Sequence, residues 1–431
     1  MSKFQITVIG IFIVAIIAGV AVFATYKGAG SSSTQLPPIT VWGTFPADTF
    51  NNYVAKINQT LSAPLGITYV QKSQSAFSDD FVRALAVGQG PDAILVPADM
   101  LLPQMNKITP IPYTALSQRT FMDSYINEAQ IYLSNNGALA VPFVIDPLVM
   151  YWNKDMFAAA GLASYPKYWD EFTALNKTLT QKDQNGNIRR SAIAMGDFNT
   201  VLNARELLGT LFLQSGNTVT SISSTGAVTS ALSNSGPTNL SSALQYFTQF
   251  VNPNSSNYSW NGGMTDSKTA FLSGTLATYF GFASELGDIR AKNPNLNFDV
   301  APIPQWRSGG QKATYGRMYG FSLVRASSNQ NAAYQTIAIL TNQANLSMLS
   351  QMTYLPPVSS SLIAQGSSDP YMTIFDQAAL ISRTWFDADQ AQSYQIFGNM
   401  VNAVVSGAKN ASDAINDASD QYNVVLGQAT Q

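Results

Sequence analysis

The stretch that decides the fold spans residues 138–172 and reads ALAVPFVIDPLVMYWNKDMFAAAGLASYPKYWDEF. Its first apolar run predicts a strand, Asp146 and Pro147 predict a turn, and a second apolar run follows. A short helix should then end at Gly161, because glycine readily adopts the left-handed conformation that closes a helix. Another helix is expected around residues 168–179. Asp146 therefore lies between two strand-like runs, a position that suits a ligand-facing charge at a crossing between two lobes.

This stretch resembles the hinge crossing of extracellular solute-binding proteins of the sugar-binding, maltose-binding-protein-like kind. The family pattern is P-x-x-x-(D/E)-x-L-x-x-Y-(Y/W)-N-K-D-x-F-x-x-A-G, then a proline, W-(D/E)-(D/E)-F and a D-x-(N/D)-G-N turn. The chain carries it at Pro142, Asp146, Leu148, Tyr151, Trp152, Asn153, Lys154, Asp155, Phe157, Ala160, Gly161, Pro166, Trp169, Asp170, Glu171, Phe172 and residues 183–187. Further matches lie at residues 88–99, 269–284, 298–304, 315–320 and 354–357.

Strands and helices alternate along the N-terminal part of the chain, which favours an α/β lobe with a largely parallel sheet. The resemblance implies a two-lobed periplasmic-binding-protein-like fold of type II, in which three chain crossings join the lobes. Lobe 1 is predicted at residues 38–142 and 320–352, and lobe 2 at residues 147–315 and 357–431. A length of 431 residues agrees with two lobes rather than one ordinary domain.

The N-terminus contains 23 uncharged residues, 4–26, rich in Ile, Val, Ala and Phe. A membrane span needs about 20 apolar residues, whereas the apolar region of a cleaved signal is usually about 7–15 residues long. A retained transmembrane helix is therefore predicted, with residues 27–37 as a linker. The alternative is secretion after cleavage near Ala24. The family resemblance implies that the body of the protein lies outside the cytoplasm.

The composition excludes several classes of function. The chain has no cysteine and no histidine, which removes disulfides, thiolate nucleophiles and the commonest general base and transition-metal ligand. A net charge of −2 does not indicate the basic surface that nucleic-acid binding requires. Residues 183–187 resemble the start of a calcium loop, but Ile188 and Ala194 stand where that loop needs glycine and glutamate. No enzyme activity, metal or cofactor is predicted.

Sugars present C–H faces and vicinal hydroxyls, so their sites need flat aromatic surfaces and side chains that form paired hydrogen bonds. Candidate ligand-binding residues lie at strand ends and predicted crossings. They are Thr44, Phe45, Asp99, Asp146, Trp260, Tyr279, Phe280, Tyr315, Arg317, Tyr319 and Trp385. Trp385 is the first choice because the resemblance places a stacking aromatic there. The alternatives are core packing for the aromatic residues, a turn or an Arg317 partner for Asp146, and a helix cap for Asp99.

The predicted function is capture of a sugar or oligosaccharide in the interlobe cleft and its delivery to the membrane subunits of an ABC importer, by a protein that is monomeric. One alternative is a ligand-sensing ectodomain. Another is a binder of peptides or polyamines, which would need acidic clusters, whereas the acidic residues are dispersed along the sequence. A carbohydrate-cleaving enzyme would need two placed carboxylates, and no motif singles out such a pair.

Overall fold

The structure is a computed structural model that describes residues 35–223, 226–233, 240–307 and 310–429. The strands are β1 (Ile39–Gly43), β2 (Ile67–Gln71), β3 (Ala93–Pro97), β4 (Ile108–Thr109), β5 (Leu133–Ser134), β6 (Gly137–Ala138), β7 (Val141–Asn153), β8 (Gln181–Lys182), β9 (Ile188–Ile193), β10 (Thr220–Ile222), β11 (Val228–Ser230), β12 (Leu276–Phe282), β13 (Phe298–Ala301), β14 (Thr314–Val324) and β15 (Ser382–Arg383).

Helices cover the faces of the sheet. The α-helices are Ala47–Asn58, Phe77–Ala86, Gln118–Ser124, Lys154–Ala159, Phe172–Leu179, Ala204–Gln214, Leu240–Thr248, Ser267–Leu272, Leu286–Lys292, Gln330–Leu340, Gln343–Thr353, Ser360–Gln365, Pro370–Leu380, Gln390–Val405 and Ala411–Ala429. Short 3-10 helices are Ala98–Met100, Leu102–Lys107, Asn127–Tyr132, Trp169–Glu171, Gln249–Val251 and Ala283–Glu285. The predicted α/β class is confirmed.

The main sheet has the strand order β2-β1-β3-β14-β7-β12-β9-β8, and β13 also pairs with β7. Strand β1 runs parallel to both β2 and β3. Every residue of β3 is buried, because helices cover both faces of the sheet, and its sequence AILVP is accordingly apolar throughout. The carboxyl ends of β1 and β3 therefore open at the same edge of the sheet, where open α/β sheets bind ligands.

Two long strands run through both halves of the molecule. The first half of β7 pairs with β14, and its second half pairs with β12 and β13. Strand β14 pairs with β3 near its end and with β15 near its start. The predicted turn at Asp146 and Pro147 is wrong: these residues lie inside the continuous strand β7, which is how the chain crosses from one half to the other.

We call the part built on β1, β2 and β3 the first lobe, and the part built on β8, β9, β12 and β13 the second lobe. The predicted lobe limits remain a prediction. The carbonyl of Val358 accepts a hydrogen bond from the Ile126 amide, and helix Ser360–Gln365 packs on Gln118–Ser124. Residues 358–365 thus contact the first lobe, beyond the limit predicted at residue 357.

Within the part of the chain that the structure describes, no helix is both long and apolar enough to cross a membrane. The predicted transmembrane segment, residues 4–26, lies outside the described residues.

Candidate functional site

A cavity of about 570 Å³ lies between two distant parts of the chain, residues 74–103 and residues 387–395. Its first wall follows β2 and β3 at the edge of the sheet, and its second wall is the start of helix Gln390–Val405. The residues that line it are Gln74, Ser75, Ser78, Asp79, Asp99, Met100, Pro103, Asp387, Ala388, Asp389, Gln390, Ala391, Tyr394 and Gln395. We call this cavity the cleft: strand ends of the first lobe form one of its walls, and the start of helix Gln390–Val405 forms the other.

Asp99 joins the two walls of the cleft. It lies in the 3-10 helix after β3 and is only 2% exposed. Its Oδ2 accepts hydrogen bonds from the hydroxyl of Tyr315 (2.6 Å) and from Nε2 of Gln390 (2.7 Å). Its backbone carbonyl accepts from the Asp387 amide (3.0 Å). Asp99 does not cap a helix, so the alternative assigned to it from the sequence is wrong.

Arg205 links the buried acidic side chains beneath the cleft. Its guanidinium is buried, donates to a carboxylate oxygen of Asp387, and lies 2.9 Å from Glu206 and 3.8 Å from Asp99. Burial lowers the pKa of Arg205, but the carboxylates of Asp387 and Glu206 outweigh burial and raise that pKa well above its ordinary value. Ser393 also donates to Asp387 (2.6 Å). Asp387 is therefore held by both Arg205 and Ser393.

Trp385 lies beside this network and is 3% exposed. The guanidinium carbon of Arg205 is 4.8 Å from its ring centroid, and Phe397 lies parallel to it at 6.5 Å. Tyr315 meets the ring edge-on at 5.2 Å. A side chain at Gly209 would come within 2.5 Å of the indole, so that glycine lets the helix pass close to it. In this conformation Trp385 supports the cleft and offers no open face.

Asp146 and Arg317 face one another at the crossing of β7 and β14. Asp146 accepts hydrogen bonds from the backbone amide (2.9 Å) and the hydroxyl (2.6 Å) of Ser284. Burial raises the pKa of Asp146 to about 6, against the opposing effects of Arg317 and Ser284. The guanidinium carbon of Arg317 lies 4.0 Å from the ring centroid of Phe282. The alternative in which Asp146 forms a turn is wrong; the residue lies within β7, opposite Arg317 of β14.

On the first-lobe side of this crossing lie three more of the predicted residues, Thr44, Phe45 and Tyr319. Thr44 and Phe45 follow β1, and the ring of Phe45 meets Tyr319 at 5.3 Å and Phe143 at 5.7 Å. Tyr319 pairs with Pro97 at the end of β3, beside Asp99. Burial raises the pKa of the Tyr319 hydroxyl, so it remains a hydrogen-bond donor at any physiological pH.

Trp260, Tyr279 and Phe280 lie elsewhere, in the core of the second lobe. The indole of Trp260 donates to Thr200 (2.9 Å), and the hydroxyl of Tyr279 donates to Glu285 (2.8 Å). Phe280 packs on Trp169, with ring centroids 5.5 Å apart. None of the three lines the cleft. Their assignment to the ligand remains a prediction that this geometry does not favour.

Sequence reasoning missed most residues of the cleft and its surroundings, including Arg205 and Asp387; Tyr394 and Glu128 are two further examples. Tyr394 is the aromatic residue in the cleft wall, 39% exposed, with its hydroxyl donating to the carbonyl of Phe198. Glu128 is buried in the 3-10 helix Asn127–Tyr132, and burial raises its pKa to about 8 against the opposing effects of Arg383 and the Thr384 amide. The only sequence signal for Tyr394 was a lone aromatic on a polar face of a helix.

The acidic side chains of the described structure do not form a metal site. In the described ranges, no three Asp, Glu, His or Cys side chains are grouped in a way that could bind one. The turn at residues 183–187 is closed by the carboxylate of Asp183, which accepts hydrogen bonds from the amides of Asn185 and Asn187 (both 2.9 Å). The interpretation of this segment as a turn is confirmed.

A family model described as bacterial extracellular solute-binding protein matches residues 52–374. The chain belongs to this family. The resemblance stated from the sequence is thereby confirmed, and membership assigns the body of the chain to the outside of the cytoplasm. The family and its structural neighbours are described as binding proteins. No curated protein gives a significant match to this solute-binding protein.

Solved structures share its fold. A cyclo/maltodextrin-binding protein complexed with maltotetraose is 15% identical, covers 92% of this chain and 99% of its own, and has a TM-score of 0.71. A cyclic α-maltosyl-1,6-maltose binding protein from Arthrobacter globiformis is 19% identical, with coverages of 91% and 99% and a TM-score of 0.71. A solute-binding protein from Thermotoga lettingae TMO bound to α-D-tagatose is 17% identical, with coverages of 90% and 100% and a TM-score of 0.66. The two-lobed α/β fold is confirmed.

Proposed function

We propose that this solute-binding protein captures a sugar or oligosaccharide in the cleft lined by residues 74–103 and 387–395. The observation that carries the proposal is the cavity of about 570 Å³ itself, whose wall combines amides, carboxylates and one exposed aromatic ring. Amides and carboxylates form paired hydrogen bonds with vicinal hydroxyls, and a ring packs on the C–H face of a sugar. The sugars named for all three neighbours support the same class of ligand.

Among the predicted residues, Asp99 is the one that contacts the ligand directly in this proposal. Tyr315 and Trp385 hold Asp99 and Arg205 in place from below. Asp146 and Arg317 act at the crossing, where a small change in backbone angles would open or close the lobes. A ligand that binds the closed form more tightly than the open form shifts the lobes toward closure.

The remaining parts of the proposal concern the surroundings of the protein. The closed, monomeric form would deliver its ligand to the membrane subunits of an ABC importer. Residues 4–26 would anchor the chain in the membrane, with cleavage near Ala24 as the alternative. No enzymatic step is part of this proposal.

A second candidate ligand class, polyamines or basic peptides, is favoured by one observation, the acidic side chains of the cleft wall.

The proposal is tested by thermal unfolding of the full-length protein, in a detergent without a sugar headgroup, across mono- and oligosaccharides, polyamines and peptides. A ligand that binds only the folded state stabilises it by about 2.7 kcal/mol at one hundred times its dissociation constant. We expect a shift with one class of saccharide. A shift with polyamines or peptides and none with saccharides would overturn the proposal.

The location is tested with a matched pair on one helix. Gln395 lines the cleft, whereas the side chain of the exposed Gln392 does not. The Gln395→Ala variant should reduce the thermal shift given by the saccharide, and Gln392→Ala should leave it unchanged. Equal shifts in both variants would place the ligand elsewhere.

A further inference from the structure

Acidic side chains that are far apart in the sequence meet in the wall of the cleft. Four of the residues that line it are Asp79, Asp99, Asp387 and Asp389. Among the described residues of this wall there is no lysine and no arginine. These acidic residues are dispersed along the sequence and do not indicate an acidic cluster there, yet they form an acidic surface once the chain is folded.

The cations near the wall do not balance these acids. Lys72 and Arg83 both pair with Asp80, which is not part of the wall. Arg205 is shared among Asp387, Glu206 and Asp99. The N-termini of helices Phe77–Ala86 and Gln390–Val405 reach the cleft, and each adds about half a positive charge. When Asp80 and Glu206 are counted with the four wall acids, six carboxylates stand against three cations and two half charges, which leaves an excess of about two negative charges.

One of these carboxylates also has an unused oxygen. Asp99 is 2% exposed, and only its Oδ2 is engaged, by Tyr315 and Gln390. In the described structure Oδ1 is buried and has no hydrogen-bond partner. A buried carboxylate oxygen without a donor is costly, so its partner is expected to be a donor that the ligand brings.

A neutral polyol would supply such a donor, but it would leave the excess charge of the wall unbalanced. A half-enclosed wall of one sign concentrates ligands of the opposite charge. The exposed ring of Tyr394 in the same wall adds a surface that suits both a sugar face and a cation. We infer that the ligand is a saccharide carrying a protonated amino group, which is held by Asp99 and the carboxylates of the cleft wall. This inference rests on the proposed function and narrows its ligand class.

The test is isothermal titration of the full-length protein, at pH 6 and low salt, with sugars that differ only in the group on C2 of each ring. The pairs are glucosamine with glucose, galactosamine with galactose, and the β-1,4-linked tetramer of glucosamine with that of glucose; N-acetylglucosamine keeps the nitrogen without its charge. We expect an amino form to bind at least tenfold more tightly than its neutral and N-acetyl counterparts. That preference should decrease in 0.5 M salt, because the carboxylates of the wall are then screened.

The variant that tests the wall is Asp79→Asn combined with Asp389→Asn. Both side chains are exposed, and asparagine still caps the helix that Asp389 caps now. The double variant should lose most of the tenfold preference, while Asp420→Asn, an exposed acid outside the wall, should keep it.

Two results would overturn the inference, and they are distinguishable. If the neutral or N-acetyl sugars bind as tightly as the amino sugars, the inferred protonated amino group of the ligand is wrong, whereas the proposed saccharide binding still holds. If spermidine or basic peptides bind and no saccharide does, the proposed function itself is wrong, although the acidic wall remains its binding surface.

Discussion

The aromatic core of the second lobe and the wall of the cleft contrast in what their sequences reveal. Trp260, Tyr279 and Phe280 were conspicuous in the sequence, yet each is buried and satisfied by neighbours in its own lobe. The cleft is lined instead mostly by polar residues of ordinary local sequence, with Tyr394 as the aromatic residue of its wall. Large aromatic residues mostly stabilise cores, whereas the cleft depends on which strand ends and helix starts the fold brings together.

The strongest test of this contrast removes the charge beneath the cleft. The Arg205→Ala variant leaves Asp387 and Asp99 buried without their cation, which should cost about 3–5 kcal/mol of unfolding free energy. Urea denaturation measures the loss. Arg307→Ala is the control, because that arginine pairs with Asp170 and Glu171 at the surface and should matter far less. Equal losses in the two variants would contradict the central role of the buried network.

A second test uses the buried carboxyl of Glu128. Burial raises its folded-state pKa from 4.5 to about 8, so between these values the folded protein holds one more proton than the unfolded chain. Stability should therefore fall by about 1.4 kcal/mol per pH unit from pH 5 to pH 7.5 on account of this group, and fall no further above about pH 8. Glu128→Gln should remove that part of the slope in denaturation curves measured across this range. Identical slopes in both proteins would show that Glu128 is ionised in the fold.

The third test addresses the core directly. The Trp260→Phe variant loses the hydrogen bond to Thr200 and part of a fully buried ring, which should cost about 1–3 kcal/mol of stability. Ligand affinity, measured at a temperature where the variant is folded, should not change. A large loss of affinity with little loss of stability would restore Trp260 to the ligand site.

The smallest effect is expected at Tyr394, where the substitution should change ligand affinity rather than stability. Tyr394→Ala should weaken ligand binding about tenfold, equivalent to about 1.4 kcal/mol, with little change in the unfolding midpoint. Tyr394→Phe keeps the ring and loses the hydroxyl contact with Phe198, so it should bind nearly as well as the original protein. If both variants bind normally, the ring does not contact the ligand.

Much of the fold could be predicted from the sequence, because local signals agree with it. The predicted alternation of strands and helices is present from β1 to β3, and the helix that begins at Lys154 is followed by Gly161 with φ of +71°. The predicted turn at Asp146 and Pro147 failed for a physical reason. At this position β7 pairs with β14 through both residues, so the proline lies in a strand that continues into the other lobe.

The candidate site was less predictable than the fold. Asp99 could be found because it lies just past the end of a buried strand, and Asp146 because it lies in the crossing. Arg205 could not, since it lies in the almost entirely buried helix Ala204–Gln214 and contacts Asp387 only through the folded structure. The acidic wall was equally hidden, because Asp79 and Asp389 are separated by most of the chain. Such groupings depend on tertiary contacts that no short pattern encodes.

The most direct test of the account is a crystal structure of the protein with the saccharide that gives the largest thermal shift. We expect density for the ligand between Asp99 and Tyr394, with a donor of the ligand within about 3 Å of the free Oδ1 of Asp99. Density against Trp260, or in the cavity of about 420 Å³ bordered by Tyr354 and Asp376, would contradict the assignment of the cleft.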